Sequence, residues 1–226
     1  MSATNRSAER LALDDYPTPR WCVHRLLEVY ELRGGLWLEP CAGAGSILRA
    51  VAEVRSDVLW QANDLNPDHY RTLGRRDDVR LVMGDDAREI VVHPEVVVAI
   101  TNPPFGPSLD ILRHLLDAGV RLPIFLQRLN WAAGPRRELF RALKPSSLVL
   151  PDRPSFMDLY EVEKPDVLKA QTDSIEYAWF VFDGRGEFRV LGDTPSEVRA
   201  AEIEEGRASG LRPRRAAKPK RVKEAA

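Results

Sequence analysis

The sequence predicts an α/β fold, a mostly parallel sheet of seven strands with helices on both faces. Three observations carry this. Short apolar runs alternate with segments of helical spacing, as βαβ units require. One run, VVVAIT at 96–101, is apolar throughout, as a strand covered on both faces should be. Small, acidic or amide residues follow four of the runs directly, at the strand ends where an open parallel sheet keeps its ligands.

Residues 19–30, PRWCVHRLLEVY, place Trp21, Val23, Leu26, Leu27 and Tyr30 at helical spacing, with Thr18 as the candidate cap. Residues 36–41 form a short apolar strand running into the small-residue turn CAGAGS, and residues 47–54 resume helical spacing. Strands follow at 58–65 and 79–83, the second ending at Gly84-Asp85. After the strand at 96–101 come a helix at 109–116, a strand at 122–126, a helix at 135–143 and two last strands at 147–150 and 177–182. The aromatics of the final run, YAWFVF, read as sheet filling.

Composition bounds the rest. The 226 residues are 44% hydrophobic and 30% charged, which suits one globular domain. No apolar run approaches the roughly 20 residues that span a bilayer, and the first residues carry no apolar segment behind their charges, so a cytoplasmic location is expected. Cys22 and Cys41 have no metal spacing and read as free thiols, and His24, His69, His93 and His114 are scattered and read as surface or packing residues, so no metal is expected.

The net charge of −1 conceals an asymmetry. Residues 207–226 hold eight Lys or Arg against Glu224 alone, which leaves 25 basic and 33 acidic residues in 1–206. The chain thus divides into a flexible N-terminus at 1–13, one domain at 14–190, an acidic helical extension at 191–206 and a basic disordered tail at 207–226. Such a tail either holds a polyanion or only aids solubility.

Four stretches carry chemistry. In EPCAGAG at 39–45, Gly43 and Gly45 let the backbone turn sharply and approach a ligand. A dinucleotide fingerprint is excluded, because its third glycine is absent and Glu39 would repel phosphate; a cationic or zwitterionic ligand suits the turn better. Asp64, about twenty residues on, can accept from two ribose hydroxyls, or can form an Asx turn before Asn66-Pro67. Asp85 can take an adenine amino group; Asp86 is an equal competitor, and a helix-capping role competes for both. Last, TNPPFGPS at 101–108 ends a buried strand on an amide and two prolines, a stiff device that either stops the strand or fixes Asn102 and its neighbouring carbonyls for a ligand.

EPCAGAG, NDLN, GDD and TNPPF, in that order and each after a strand, resemble the class I S-adenosylmethionine-dependent methyltransferases, most of all the small phage and bacterial adenine-N6 DNA type. The resemblance covers residues 14–182 and implies a single Rossmann-like domain. It implies S-adenosyl-L-methionine as cofactor, held by Thr18, Pro19, Glu39, Pro40, Cys41, Ala42, Gly43, Gly45, Asp64 and Asp85, with Thr18 and Pro19 at a helix start that contacts the methionine carboxylate. It makes Asn102, Pro103, Pro104 and Phe105 the catalytic segment, in which the Asn102 oxygen and the Pro103 carbonyl accept from the target amino group. Phe105 would stack on the target base, and Phe156, in RPSF at 153–156, would face its other side. The competing role for Phe105 is ordinary core, and Trp131 either lines the same cavity or is core.

The resemblance implies nucleic acid, DNA first, as the partner, with the basic tail as a candidate contact. The sixteen residues between Asp85 and Asn102 leave no room there for a target-reading insertion. Loops near 106–110 and 151–172 or the tail would then read the target, or the substrate is not duplex DNA. RNA purines and protein glutamine are the alternatives within the same chemistry. The glutamine enzymes usually carry a helical N-terminal domain, for which the residues before Asp14 are too few. A non-catalytic nucleic-acid-binding module is the alternative of another class.

Overall fold

The computed structural model describes residues 17–154, 175–193 and Val198. Its eight-stranded sheet runs in the order β3-β2-β1-β4-β5-β7-β6-β8. The strands are β1 (Gly35–Glu39), β2 (Val58–Asn63), β3 (Val79–Met83), β4 (Val96–Thr101), β5 (Pro123–Arg128), β6 (Ser146–Val149), β7 (Tyr177–Val181) and β8 (Phe188–Val190). All neighbours pair in parallel except β7, which lies antiparallel to both β5 and β6. The α/β class and mostly parallel sheet are as expected, with one strand more than the seven expected.

The extra strand is β8, whose alternation of Phe188, Arg189 and Val190 spans only three residues, all exposed; it pairs with β6 in parallel register. Helix α3 (Pro67–Leu73) was equally hidden, because Leu73 is its one buried residue. Asn66 caps it by accepting from the Asp68 N–H, and Pro67 presets the first turn.

Two apolar layers enclose the sheet. On one face α1 (Arg20–Val29) and α2 (Ser46–Ala52) pack with Leu73 over Trp37, Trp60, Val98, Ile124, Trp179 and Val181. On the other, α4 (Ser108–Asp117) supplies Ile111, Leu112 and Leu115 over Leu36, Leu38, Ala99, Phe125 and Phe180. Helix α5 (Arg137–Leu143) adds Phe140 there, edge-on to Trp131 and Phe180. Every residue of β7 is buried, so its aromatics are sheet filling. Helices therefore do stand on both faces.

One local expectation is corrected. Thr18 does not cap α1; Pro19 occupies the N-cap without a side-chain bond, while buried Thr18 sends its N–H to Ser46 Oγ at 3.1 Å. Proline's fixed φ suits the helix entry, and the threonine is drawn toward α2 instead. The N-terminus at 1–13, Phe156 and the tail at 207–226 lie outside the described residues, as does most of the 191–206 extension, of which Val198 packs against the first core layer. Among the described residues no helix is long and apolar enough to cross a membrane.

Leu73 anchors α3 and also meets the turn before α2, since a Cβ on Gly45 would stand 3.2 Å from its Cδ2. Leu73→Ala is expected to lower stability by about 2–5 kcal/mol, read from urea unfolding.

Candidate functional site

The chain order steps outward from β1 to β2 and β3, then jumps to β4 on the opposite side of β1. The loops after β1 and β4 thus diverge at their carboxyl ends and open a crevice, the place where such sheets bind ligands. A cleft of about 480 Å³ lies there, lined from Pro17 and Thr18 across the turns after β1, β2 and β3 to Asn102, Pro104, Pro107 and Ile111.

The turn after β1 depends on positive φ at Gly43 (51°) and Gly45 (81°), and Gly45 serves as the left-handed N-cap of α2. Glu39, the last residue of β1, is 1% exposed. Its Oε1 accepts from the Cys41 N–H at 3.2 Å, whereas Oε2 and the nearby Thr101 Oγ are buried with no hydrogen-bond partner among the described residues. Burial pushes the Glu39 carboxyl well above its ordinary range, against the opposing pull of the Cys41 N–H. A buried, unsatisfied carboxyl in a cleft wall is costly, and a ligand cation or donor would relieve it.

Asn63, the last residue of β2, is fully buried and makes a three-way tie. Its Nδ2 donates to the carbonyls of Pro40 and Asp85, both at 2.9 Å, and its Oδ1 accepts from the Asp85 N–H at 3.0 Å. The turns after β1 and β3 are thereby fixed to the strand between them.

Asp64 binds the protein first. Oδ2 accepts from the Gly43 N–H at 2.6 Å, and Oδ1 accepts from the Asn66 N–H at 2.8 Å with His69 Nδ1 at 3.2 Å. The Asx turn and the cleft position therefore coexist, and a ligand hydroxyl at Asp64 must share a carboxylate already holding the glycine turn. His69 lines the cleft rather than the outer surface, a placement that no local pattern announced.

Asp85 and Asp86 separate clearly. Asp86 accepts from Arg88 Nε at 2.9 Å and Nη2 at 2.5 Å, and this pairing lowers its pKa to about 2. The Asp85 carboxylate has no hydrogen-bond or ion-pair partner among the described residues. Both line the cleft, but Asp85 is the one available to a ligand donor.

In the corner after β4, Asn102 and Pro104 line the cleft while Pro103 and Phe105 stand beside it. The loop is held from behind. Gln127, buried in β5, donates from Nε2 to the Pro103 carbonyl at 3.3 Å, leaving that oxygen a second lone pair. Ser108 Oγ donates to the Phe105 carbonyl and accepts from Trp131 Nε1, each at 3.0 Å. Trp131 is core, stacked on Phe125 at 5.9 Å. Phe105 is partly buried, its ring 4.3 Å from the Arg128 guanidinium carbon.

The cleft thus gathers Thr18, Glu39, Pro40, Cys41, Ala42, Gly43, Asp64, Asp85, Asn102 and Pro104; Pro19, Gly45, Pro103 and Phe105 flank it, and Phe156 lies outside the described residues. Asn63, His69, Gln127 and Arg128 are additions that sequence reasoning passed over. Among the described residues no three His, Cys, Asp or Glu group as metal ligands would.

No family model matches the sequence, and no curated protein matches it. Among solved structures the chain is similar to a protein described as a predicted O-methyltransferase from Agrobacterium tumefaciens, at 16% identity and a TM-score of 0.53 over 84% of this chain and 96% of that one. It is similar to the 23S rRNA methyltransferase ErmE, at 16% identity and a TM-score of 0.52 over 82% of this chain and 75% of that one. It also resembles a modification subunit assigned to a type I restriction enzyme of Vibrio vulnificus YJ016, at 16% identity and 0.52, over 76% of this chain and 45% of that one. The fold is the Rossmann-like one these methyltransferases share.

Glu39 links this site to pH. Its folded carboxyl holds a proton to higher pH than the unfolded chain does, so its contribution to stability is full below about 4.5 and is lost as pH rises through the folded value. Glu39→Gln is expected to raise Tm of the ligand-free protein at neutral pH by about 2–4 °C, the shift that ~1 kcal/mol makes in a chain this long, and to flatten the fall in Tm between acidic and neutral pH. Asn63→Ala, which orphans three backbone groups, should lower stability by about 1–3 kcal/mol and speed hydrogen exchange at the Asp85 amide.

Proposed function

We propose that this chain is an S-adenosylmethionine-dependent amino-methyltransferase acting on the N6 amino group of adenine in DNA. The observation that carries the reading is one shared space: Asn102 and Pro104 line the same cleft as Glu39, Asp64 and Asp85. Three acids that suit the cofactor and an amide that suits an amino acceptor thus share one lining.

The residues present fit that cofactor. Glu39 Oε2 offers an ammonium the buried acceptor it needs, and the resulting pairing favours the carboxylate that burial disfavours. Asp85 offers an adenine amino group a carboxylate that is unpaired among the described residues. Asp64 offers its remaining lone pair to a ribose hydroxyl, with its orientation set by Gly43 and Asn66. Thr18, Pro19 and the N-terminus of α1 are assigned to the methionine carboxylate. When bound, S-adenosylmethionine supplies an electrophilic methyl on a sulfonium.

The protein's own contribution is to position and polarise the acceptor. An adenine amino nitrogen is a poor nucleophile because its lone pair is delocalised into the ring. The Asn102 side-chain oxygen and the Pro103 carbonyl accept its two N–H groups, which favours a tetrahedral nitrogen and frees the pair. Two prolines, the Gln127 bond and the Trp131–Ser108–Phe105 chain keep those acceptors from reorienting as charge develops. Closeness and alignment then dominate the rate.

The choice of DNA is supported by the resemblance of NPPF to the adenine-N6 motif and by the shared fold of the restriction-system subunit. An RNA purine is the second reading, favoured by the same fold in ErmE. The basic residues 207–226 are assigned nonspecific affinity for either polyanion.

Asn102→Ala is expected to cut methyl transfer by about 100- to 1,000-fold while leaving S-adenosylhomocysteine binding within a few-fold of wild type. Incubation with cofactor labelled in the methyl group and separate DNA, RNA and protein pools, followed by nucleoside analysis, checks the substrate. Label in N6-methyladenine from DNA supports the proposal; label confined to RNA or protein replaces its substrate; none in any pool removes it.

A further inference from the structure

We propose that Arg128 is a movable cover on the acceptor-ring site, and that it becomes a phosphate contact when a base displaces it. The inference deepens the methyltransferase reading and rests on it, since it selects an acceptor embedded in a nucleic-acid strand over a free nucleoside or an amide side chain.

The geometry is specific. Arg128 ends β5, one residue beyond the Gln127 that holds the Pro103 carbonyl. Its guanidinium carbon sits 4.3 Å from the centroid of the Phe105 ring, and its Nε donates to the Tyr177 hydroxyl at 3.3 Å. Tyr177 itself packs tilted against Phe105, centroids 6.5 Å apart. A planar, delocalised cation therefore lies on the aromatic surface where the assigned role of Phe105 requires a planar base.

The two occupants differ in strength. A cation over an aromatic ring at a partly exposed site is worth about two- to five-fold in equilibrium. Base stacking on such a ring is worth about five- to 150-fold, so a base outcompetes the guanidinium for the ring. What happens next depends on the acceptor. A base within a strand brings phosphates on both sides, and a guanidinium pairs with phosphate through two parallel N–H bonds. The displaced Arg128 then gains a stronger partner than the ring it left. A bare nucleoside or a glutamine side chain brings no anion and only bears the displacement. The acidic balance of the body, 33 acidic against 25 basic residues in 1–206, makes a phosphate contact beside the corner the more consequential.

The test uses full-length wild type, Arg128→Ala and Arg128→Lys, each with S-adenosylhomocysteine present. Adenosine and a single-stranded oligodeoxynucleotide containing one adenine are the probes, titrated across a salt series. Arg128→Ala is expected to bind adenosine about two- to five-fold more tightly. It should bind the oligonucleotide more weakly, with the slope of log K against log salt reduced by about 0.7, one phosphate's share. Arg128→Lys should keep the wild-type slope yet bind adenosine more tightly, because an ammonium covers the ring poorly. Should Arg128→Ala prove unfolded by its melting curve, Tyr177→Phe, which releases the guanidinium's hydroxyl anchor, must itself tighten adenosine binding. Unchanged adenosine binding in every folded variant, or an unchanged salt slope in Arg128→Ala, overturns the assignment and leaves Arg128 as packing for Phe105. Binding of S-adenosylhomocysteine to wild type, measured first, separates the two levels. Its absence overturns the methyltransferase reading, whereas its presence beside indifferent Arg128 variants overturns this inference alone.

Discussion

One buried amide holds the cleft in shape. Asn63 exhausts its side chain on the backbones of two other turns, accepting from Asp85 and donating to Asp85 and Pro40. The Ala42 N–H meanwhile bonds the Asn63 carbonyl at 2.8 Å, and the Asp64 N–H bonds the Met83 carbonyl at 3.1 Å. Three consecutive strand ends thus behave as one body. Everything the cleft offers a ligand hangs from that body, including the orphan oxygen of Glu39, the carboxylate of Asp85 and the glycine turn. A neutral amide suits the task, since it satisfies donors and acceptors without importing a charge into an interior that already contains a carboxyl.

That carboxyl is Glu39, and it stands in tension with the fold. Burial disfavours the ionised carboxyl, and among the described residues one of its oxygens and the Thr101 hydroxyl lack partners. Frustration confined to a cleft wall marks a surface shaped for something besides folding. Asp64 shows the complementary solution, an acid whose two oxygens accept from the Gly43 and Asn66 N–H groups with His69 Nδ1 beside them, and so committed to structure before any ligand arrives.

The strands β1 to β7 were legible because apolar runs bounded by glycine, proline and acids are a strong signal, and the strand-end positions of Glu39, Asp64, Asp85 and Asn102 followed from them. What stayed hidden buries little apolar surface. Helix α3 buries one residue, and β8 buries none of its three. Asn63 and Gln127 left a weak trace, each a polar residue near the end of an apolar-rich run, where burial demands a partner. Reading that demand would have marked both as tethers, although the identity of their partners depends on loops brought together only by the fold. His69 and Arg128 left none. The capping of α1 misled because Thr-Pro satisfies two rules at once, and the proline won.

The reversal of β7 has a consequence for what the protein can become. Because β7 runs opposite to β6, the chain leaves the sheet at Leu150 and re-enters it at Tyr177 on the same side as the cleft. Arg153 and Glu176 even clasp the two ends, at 2.6 Å. The pairing of β6 with β7 is held by Ser146–Val149 and Ala178–Val181 themselves and sets no fixed length for the chain between the two ends. Lineages could therefore vary that length without shifting either strand, so that novelty at this point of the chain comes apart from novelty in the sheet.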